Sequence, residues 1–115
     1  MPLSPERPLH DHKADLFKAL AHPVRVRALE LLSDGELPVS ELLAATGIEA
    51  SHLSQHLAVL RNAGVVTARR EGNSVFYRLE HPALAEMLAA ARVVLSDRLT
   101  RTREALAALD EGDGA

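Results

Sequence analysis

The chain has 115 residues, a formal net charge of −3 and no cysteine. It is 47% hydrophobic and 25% charged, the balance of one folded soluble domain rather than of a disordered chain. Disulfides, thiolate metal sites and cysteine-based redox sensing are excluded, and no apolar run is long enough to span a membrane.

Met1–Leu9 contains Pro2, Pro5 and Pro8 and no periodic pattern. It reads as a flexible arm over residues 1–9, without the apolar stretch of a signal peptide. The domain proper is expected over residues 10–109. Leu16, Phe17 and Leu20 recur at helical spacing and predict a first helix from Asp11 to Ala21. His22-Pro23 interrupts it. Pro suits the first turn of a new helix, and Val24, Ala28, Leu31 and Leu32 continue with helical period until Ser33-Asp34-Gly35. His22 and His81 each precede a proline and read as turn or cap residues.

Pro38 opens a short third helix with Leu42 and Leu43 on its inner side. Thr46-Gly47-Ile48 predicts a tight corner, where Gly supplies a positive φ. A fourth helix follows from about Ala50 to Asn62 and stops at Gly64. Val65–Arg70 and Ser74–Leu79 are β-like runs around Glu71-Gly72-Asn73 and predict a hairpin. Pro82 starts a long helix reaching about Leu109, and residues 110–115 read as an acidic flexible tail.

This order predicts a mainly α fold with one β-hairpin, a winged helix-turn-helix. The fourth helix divides cleanly on a helical wheel. Leu53, His56, Leu57 and Leu60 cluster on one side. Ser51, Gln55, Ala58 and Asn62 lie opposite, with His52 and Ser54 on the flanks. That outward face is small, uncharged and rich in donors and acceptors, as a major-groove reader requires. Ser51, His52, Ser54 and Gln55 are the candidate DNA contacts there, and the Gln55 amide can pair bidentately with adenine.

The charge distribution agrees. Residues 51–79 carry Arg61, Arg69, Arg70 and Arg78 against Glu71 alone, while the flanking segments are each net acidic. Local field, not net charge, steers a polyanion. Arg69, Arg70 and Arg78 on the hairpin, with Asn73 at its tip, are candidate contacts to phosphate or a narrow minor groove.

The stripe on the last helix is longer than one small domain needs. With the first helix it predicts a homodimer interface built from Leu16, Phe17, Leu20, Leu84, Leu88, Ala91, Leu95 and Leu99.

The stretches LFKALAHPVRVRALELL, VSELLAATGI, SHLSQHLAVLRNAGVV and ARREGNSVFYRL, spanning about Asp15 to Leu79, resemble the successive signatures of the ArsR/SmtB regulators. The resemblance implies a homodimer joined by the first and last helices, and operator DNA binding that an inducer, often a metal ion, weakens. The arsenic, cadmium and lead sensors of that family carry a Cys-X-Cys-like motif in the third helix. Here that segment is Ser40-Glu41-Leu42-Leu43. The zinc, cobalt and nickel sensors often pair Asp and His on the last helix. Here it has Asp97 and Glu104 but no histidine between Pro82 and Leu109.

The remaining metal candidates are His10 and His12, flanking Asp11. With carboxylates from a neighbouring chain they could hold nickel, zinc or cobalt. His52 and His56, four apart, come next by spacing. No cofactor is required by the sequence. An enzyme is not expected: there is no Gly-rich phosphate loop, no cysteine nucleophile and no Gly-X-Ser-X-Gly elbow. The leading expectation is a cytoplasmic, sequence-specific DNA-binding transcription regulator. Two alternatives stay open: a nickel-, zinc- or cobalt-responsive regulator, and a winged-helix protein-interaction module. The signal is equally open, whether a metal, an organic ligand, a regulatory partner protein or none.

Overall fold

A computed structural model describes residues 3–113. The elements run α1 (Leu9–Leu20), α2 (Pro23–Leu32), β1 (Leu37–Pro38), α3 (Val39–Thr46), α4 (Ala50–Asn62), β2 (Val66–Glu71), β3 (Ser74–Leu79) and α5 (Ala83–Asp113). The chain separates into two compact units, Met1–Ala85 and Glu86–Ala115.

The core of the first unit is aliphatic, as the scarcity of aromatics requires. Leu29, Leu32, Leu42, Leu53, Leu57, Leu60, Val65 and Val66 are almost wholly buried. These residues belong to α2, α3, α4 and the start of the hairpin, and α2 packs on α3, α4 and β3. Among the described residues no polar or charged residue is fully buried.

Two histidines start helices in the same way. His22 is the N-cap of α2, and its Nδ1 accepts the Val24 N–H at 3.1 Å. His81 Nδ1 accepts the Ala83 N–H at 3.0 Å ahead of α5. Each ring satisfies a donor that the first turn leaves unpaired, while the proline beside it presets φ.

The expected hairpin is present as β2 and β3, and β1 adds to it to give a three-stranded antiparallel sheet in the order β1-β3-β2. Leu37 pairs with Tyr77 and Pro38 with Phe76. A two-residue strand is too short to show alternation, and its partner lies about forty residues later, so no local pattern announces it.

The flexible arm is corrected too. Residues 4–7 form a turn, with Arg7 N–H donating to the Ser4 carbonyl at 3.2 Å. The segment folds back on α1: Arg7 pairs with Asp15 at 2.9 Å, and His12 Nε2 lies 2.9 Å from the Ser4 carbonyl. Helix α1 starts at Leu9, inside the expected arm, because Pro8 opens it and Asp11 favours its positive end. Met1 and Pro2 lie outside the described residues.

At the other end, Asp110–Asp113 continue α5 instead of forming a tail. The alanines at 105, 107 and 108 are strong helix formers and carry the helix onward. Residues 114 and 115 of the expected tail lie outside the described residues. Its 31 residues give α5 a length of roughly 46 Å.

The α3–α4 corner turns at Gly47, with φ 70° and ψ 10°, whose N–H donates to the Leu43 carbonyl at 2.9 Å. A Cβ built there meets nothing within 4 Å, so a substitution pays only for the left-handed backbone. Gly47→Ala is expected to lower unfolding stability by about 1–2 kcal/mol, read from urea denaturation, and Gly47→Asn by less. A neutral Gly47→Ala would show that the corner does not need the left-handed conformation.

Candidate nucleic-acid interface

The buried and exposed positions of α4 separate as its wheel demands. Leu53, Leu57 and Leu60 are buried, while Ser51, His52, Ser54, Gln55 and Ala58 are exposed. Glu49 precedes the helix and makes no side-chain cap. The first-turn N–H groups of α4 are therefore available to an oxyanion. His52 Nε2 lies 3.9 Å from a Glu49 carboxylate oxygen, so this candidate contact already faces an acid.

The wing carries its arginines on two different faces. The β2–β3 register pairs Thr67 with Arg78, Arg69 with Phe76 and Arg70 with Val75. Alternation puts Arg69 and Arg78 on one side of the sheet and Arg70 on the other. Arg70 and Arg78 are exposed, as are Gly72 and Asn73 at the tip.

Arg69 is not the free cation expected. It donates to both oxygens of Glu36, from Nε at 2.9 and 3.0 Å and from Nη2 at 2.5 Å. Nη1 reaches Glu71 at 2.9 Å, and the guanidinium lies 4.6 Å from the centre of the Phe76 ring. Hydrogen bonding to Arg69 holds the Glu36 carboxyl below the usual carboxylate range. Glu36 first, then Glu71, push Arg69 further toward its charged form. Arg69 thus ties β2 to the α2–β1 connection. Sequence reasoning missed this clamp because Glu36 lies 33 positions away; the pairing of Arg69 with Glu71, two apart on one strand, was the available signal.

The candidate metal pair does not converge. His10 and His12 lie two apart in α1, about 200° around the helix. His10 reaches only Asp11, at 3.4 Å, with its side chain 82% exposed, whereas His12 turns to Ser4. Among the described residues no group of three His, Asp or Glu gathers as a metal site.

His56 sits behind the reading face rather than on it. Its ring lies 4.2 Å from that of His22, tilted by 37°, and its Nδ1 accepts the Arg25 Nε–H at 3.3 Å. Arg25 also donates from Nη1 to the Ala19 carbonyl at the end of α1, at 2.9 Å. One guanidinium thereby joins α1, α2 and α4. Burial, then the charges of His22, Arg25 and His52, pull the His56 imidazole below its usual range. Arg25 drew no notice in the sequence, where it is one of three charged positions on α2, with Arg27 and Glu30.

Of the expected dimer residues, Leu20 and Leu84 are largely covered by the protomer itself. Each is only 9% exposed within the protomer, because Leu20 lies in the last turn of α1, which packs on α4, and Leu84 in the part of α5 that belongs to the first unit. Leu16 and Leu88 are half-buried. Phe17 is 57%, Leu95 60% and Leu99 50% exposed, and Ala91 is exposed.

Residues 22–68, from the His22 cap through the α3–α4 corner into the wing, match the family described as bacterial regulatory protein, arsR family. An HTH-type transcriptional regulator of Mycobacterium tuberculosis, Rv0081, is 50% identical over 94% of this chain and 96% of its own length. The chain belongs to the ArsR family. The crystal structure of Rv0081 superposes with a TM-score of 0.75, at 51% identity, over 84% of this chain and 98% of that one. The biofilm growth-associated repressor of Agrobacterium fabrum is 46% identical over 67% of this chain and 66% of its own. A homodimeric winged helix-turn-helix DNA-binding domain from Mycobacterium bovis, Mb0332, superposes with a TM-score of 0.73 at 33% identity, over 85% of this chain and 95% of that one. This ArsR-family chain is a winged helix-turn-helix DNA-binding regulator.

The wing geometry separates two arginines that the sequence treats alike. Arg70→Ala is expected to lower the slope of log affinity against log salt by about one unit, the loss of one phosphate contact. Arg69→Ala is expected to leave that slope near the wild-type value, because its charge is already balanced by Glu36 and Glu71. Equal slope losses in the two variants would return Arg69 to the DNA.

Proposed function

We propose that two copies of this chain bind a two-fold-related operator, with α4 of each read into successive major grooves about 34 Å apart. The observation that carries the reading is the exposed, uncharged face of Ser51, Ser54 and Gln55, backed by the buried Leu53, Leu57 and Leu60. Such a face combines access with hydrogen-bonding variety. Arg70, Arg78 and Asn73 supply the wing contacts, and the uncapped start of α4 offers N–H groups to phosphate.

The homodimer is supported by the apolar residues exposed on a single copy, Phe17, Leu95 and Leu99 above all, and by the homodimeric state of Mb0332. The chain acts by binding, with no catalytic step and no required cofactor. A regulator of chromosomal DNA works in the cytoplasm; no helix among the described residues is long and apolar enough to cross a membrane.

Gln55→Ala is expected to reduce discrimination between a selected operator and random DNA by about tenfold, the lower end of what one bidentate base contact provides. It should change affinity for random DNA little, and an unchanged ratio would refute Gln55 as a base contact. In the same assay arsenite and cadmium, which prefer thiolates, leave wild-type affinity unchanged, since the chain has no cysteine. For the dimer, Leu95→Glu places an unpaired charge in the interface and is expected to give a monomeric or unfolded protein in sedimentation. A variant that sediments as a folded dimer would remove Leu95 from the interface.

A further inference from the structure

We infer that Arg25 and His56 form a proton-sensitive lock that holds α4 in its DNA-reading position, so that acidification lowers operator recognition. The inference rests on α4 as the reading helix. Arg25 and His56 are positioning residues: both act through α4, and neither lies on its outward face.

The geometry leaves the extra proton nowhere to go. In a neutral imidazole one ring nitrogen donates and the other accepts. His56 Nδ1 accepts from Arg25, and His22 Nδ1 accepts from the Val24 N–H. Both rings are therefore the Nε2–H tautomer, and a second proton must land on the nitrogen already in use. Protonation of His56 replaces its hydrogen bond to Arg25 with two facing N–H donors. The His22 ring, which caps α2, lies only 4.2 Å from that of His56, so a charge placed on His56 also faces the start of α2.

The charged surroundings sharpen the effect. From α2, His56 meets Arg25 and His22; from its own helix it meets His52, whose nearest carboxylate is Glu49. From α1 the neighbouring groups are Asp15 and Lys18, which line a cleft with Arg25, and the Ala19 carbonyl that Arg25 already holds. Strand β2 meets α4 through its apolar start at Val66. The groups that act on His56 are Arg25, His22 and His52, and a new cation there faces the Arg25 guanidinium directly.

The sign follows from linkage. The docked arrangement favours the neutral ring and an undocked α4 accepts the proton more readily. Stability therefore falls as pH drops below the ordinary imidazole range. If the operator selects docked α4, protons and operator compete by the same factor. Taking the ratio of operator to random affinity cancels contributions common to any DNA.

The experiment uses a duplex enriched from a random pool by the wild-type protein at about pH 8 and a scrambled duplex of equal composition. Fluorescence anisotropy is recorded at constant salt down to about pH 5.5, the interval in which imidazoles titrate. The wild-type ratio is expected to fall several-fold. His56→Asn, whose amide oxygen replaces the Nδ1 acceptor but does not titrate, is expected to keep the ratio at the alkaline end and lose most of the fall. The His22→Asn, His56→Asn double variant is expected to be flat. A wild-type ratio independent of pH, or an equal fall in His56→Asn, overturns the lock. Independently of DNA and of any variant's folding, NMR of the wild-type imidazoles and the α4 amides is expected to show the two moving together. A His56 ring that titrates without disturbing α4 overturns it as well. A ratio unmoved by Gln55→Ala at alkaline pH counts against α4 as the reader, which the NMR readout distinguishes from failure of the lock.

Discussion

The leucine ridge of α4 is the constraint on which the interface depends. Leu53, Leu57 and Leu60 are buried against a core that already contains Leu29, Leu32 and Leu42. Each such side chain contributes on the order of 2 kcal/mol by leaving water. Together they outweigh the Arg25–His56 hydrogen bond, which contributes about 1 kcal/mol. The ridge therefore decides that α4 docks and which side faces out. The polar contacts behind it adjust how firmly it is held.

The wing is placed by a different kind of force. Strand β2 lies at the edge of a three-stranded sheet and carries most of its charge at the exposed end. Its attachment is the network of Glu36, Arg69 and Glu71 laid over Phe76. Exposed ion pairs contribute little singly, but this guanidinium is forked to one carboxylate, bound to another and stacked on a ring. Such geometry orients more than it stabilises. It leaves Arg70 and Arg78, on opposite faces, as the cations the wing presents outward.

Histidine does three different jobs in the chain, none of them reducible to composition. His22 and His81 cap helices ahead of prolines. His12 fastens the turn at Ser4. His56 accepts from Arg25 beneath the reading helix. A spacing argument groups His10 with His12 and His52 with His56. The structure regroups them as His12 with Ser4 and as His56 with His22 and Arg25, because side chains two apart on a helix diverge while loops bring distant residues together.

Local rules were enough for much of this protein. Helical periodicity located α2 and α4 at their observed limits, His-Pro announced the caps, and Gly47 announced the corner. The leucine spacing of α4 alone told its inner face from its outer. These features are legible because hydrophobic period, proline and left-handed glycine act within a few residues. Tertiary structure alone decided the rest. It paired Leu37 with Tyr77 to make a third strand, bound Arg69 to Glu36, and buried Leu20 and Leu84 inside the protomer. It also placed Arg25 between Ala19 and His56. In each case the partner is distant in sequence or the side chain could have served two roles equally well. Which role it takes depends on what the packed helices bring within reach, and no local pattern carries that information.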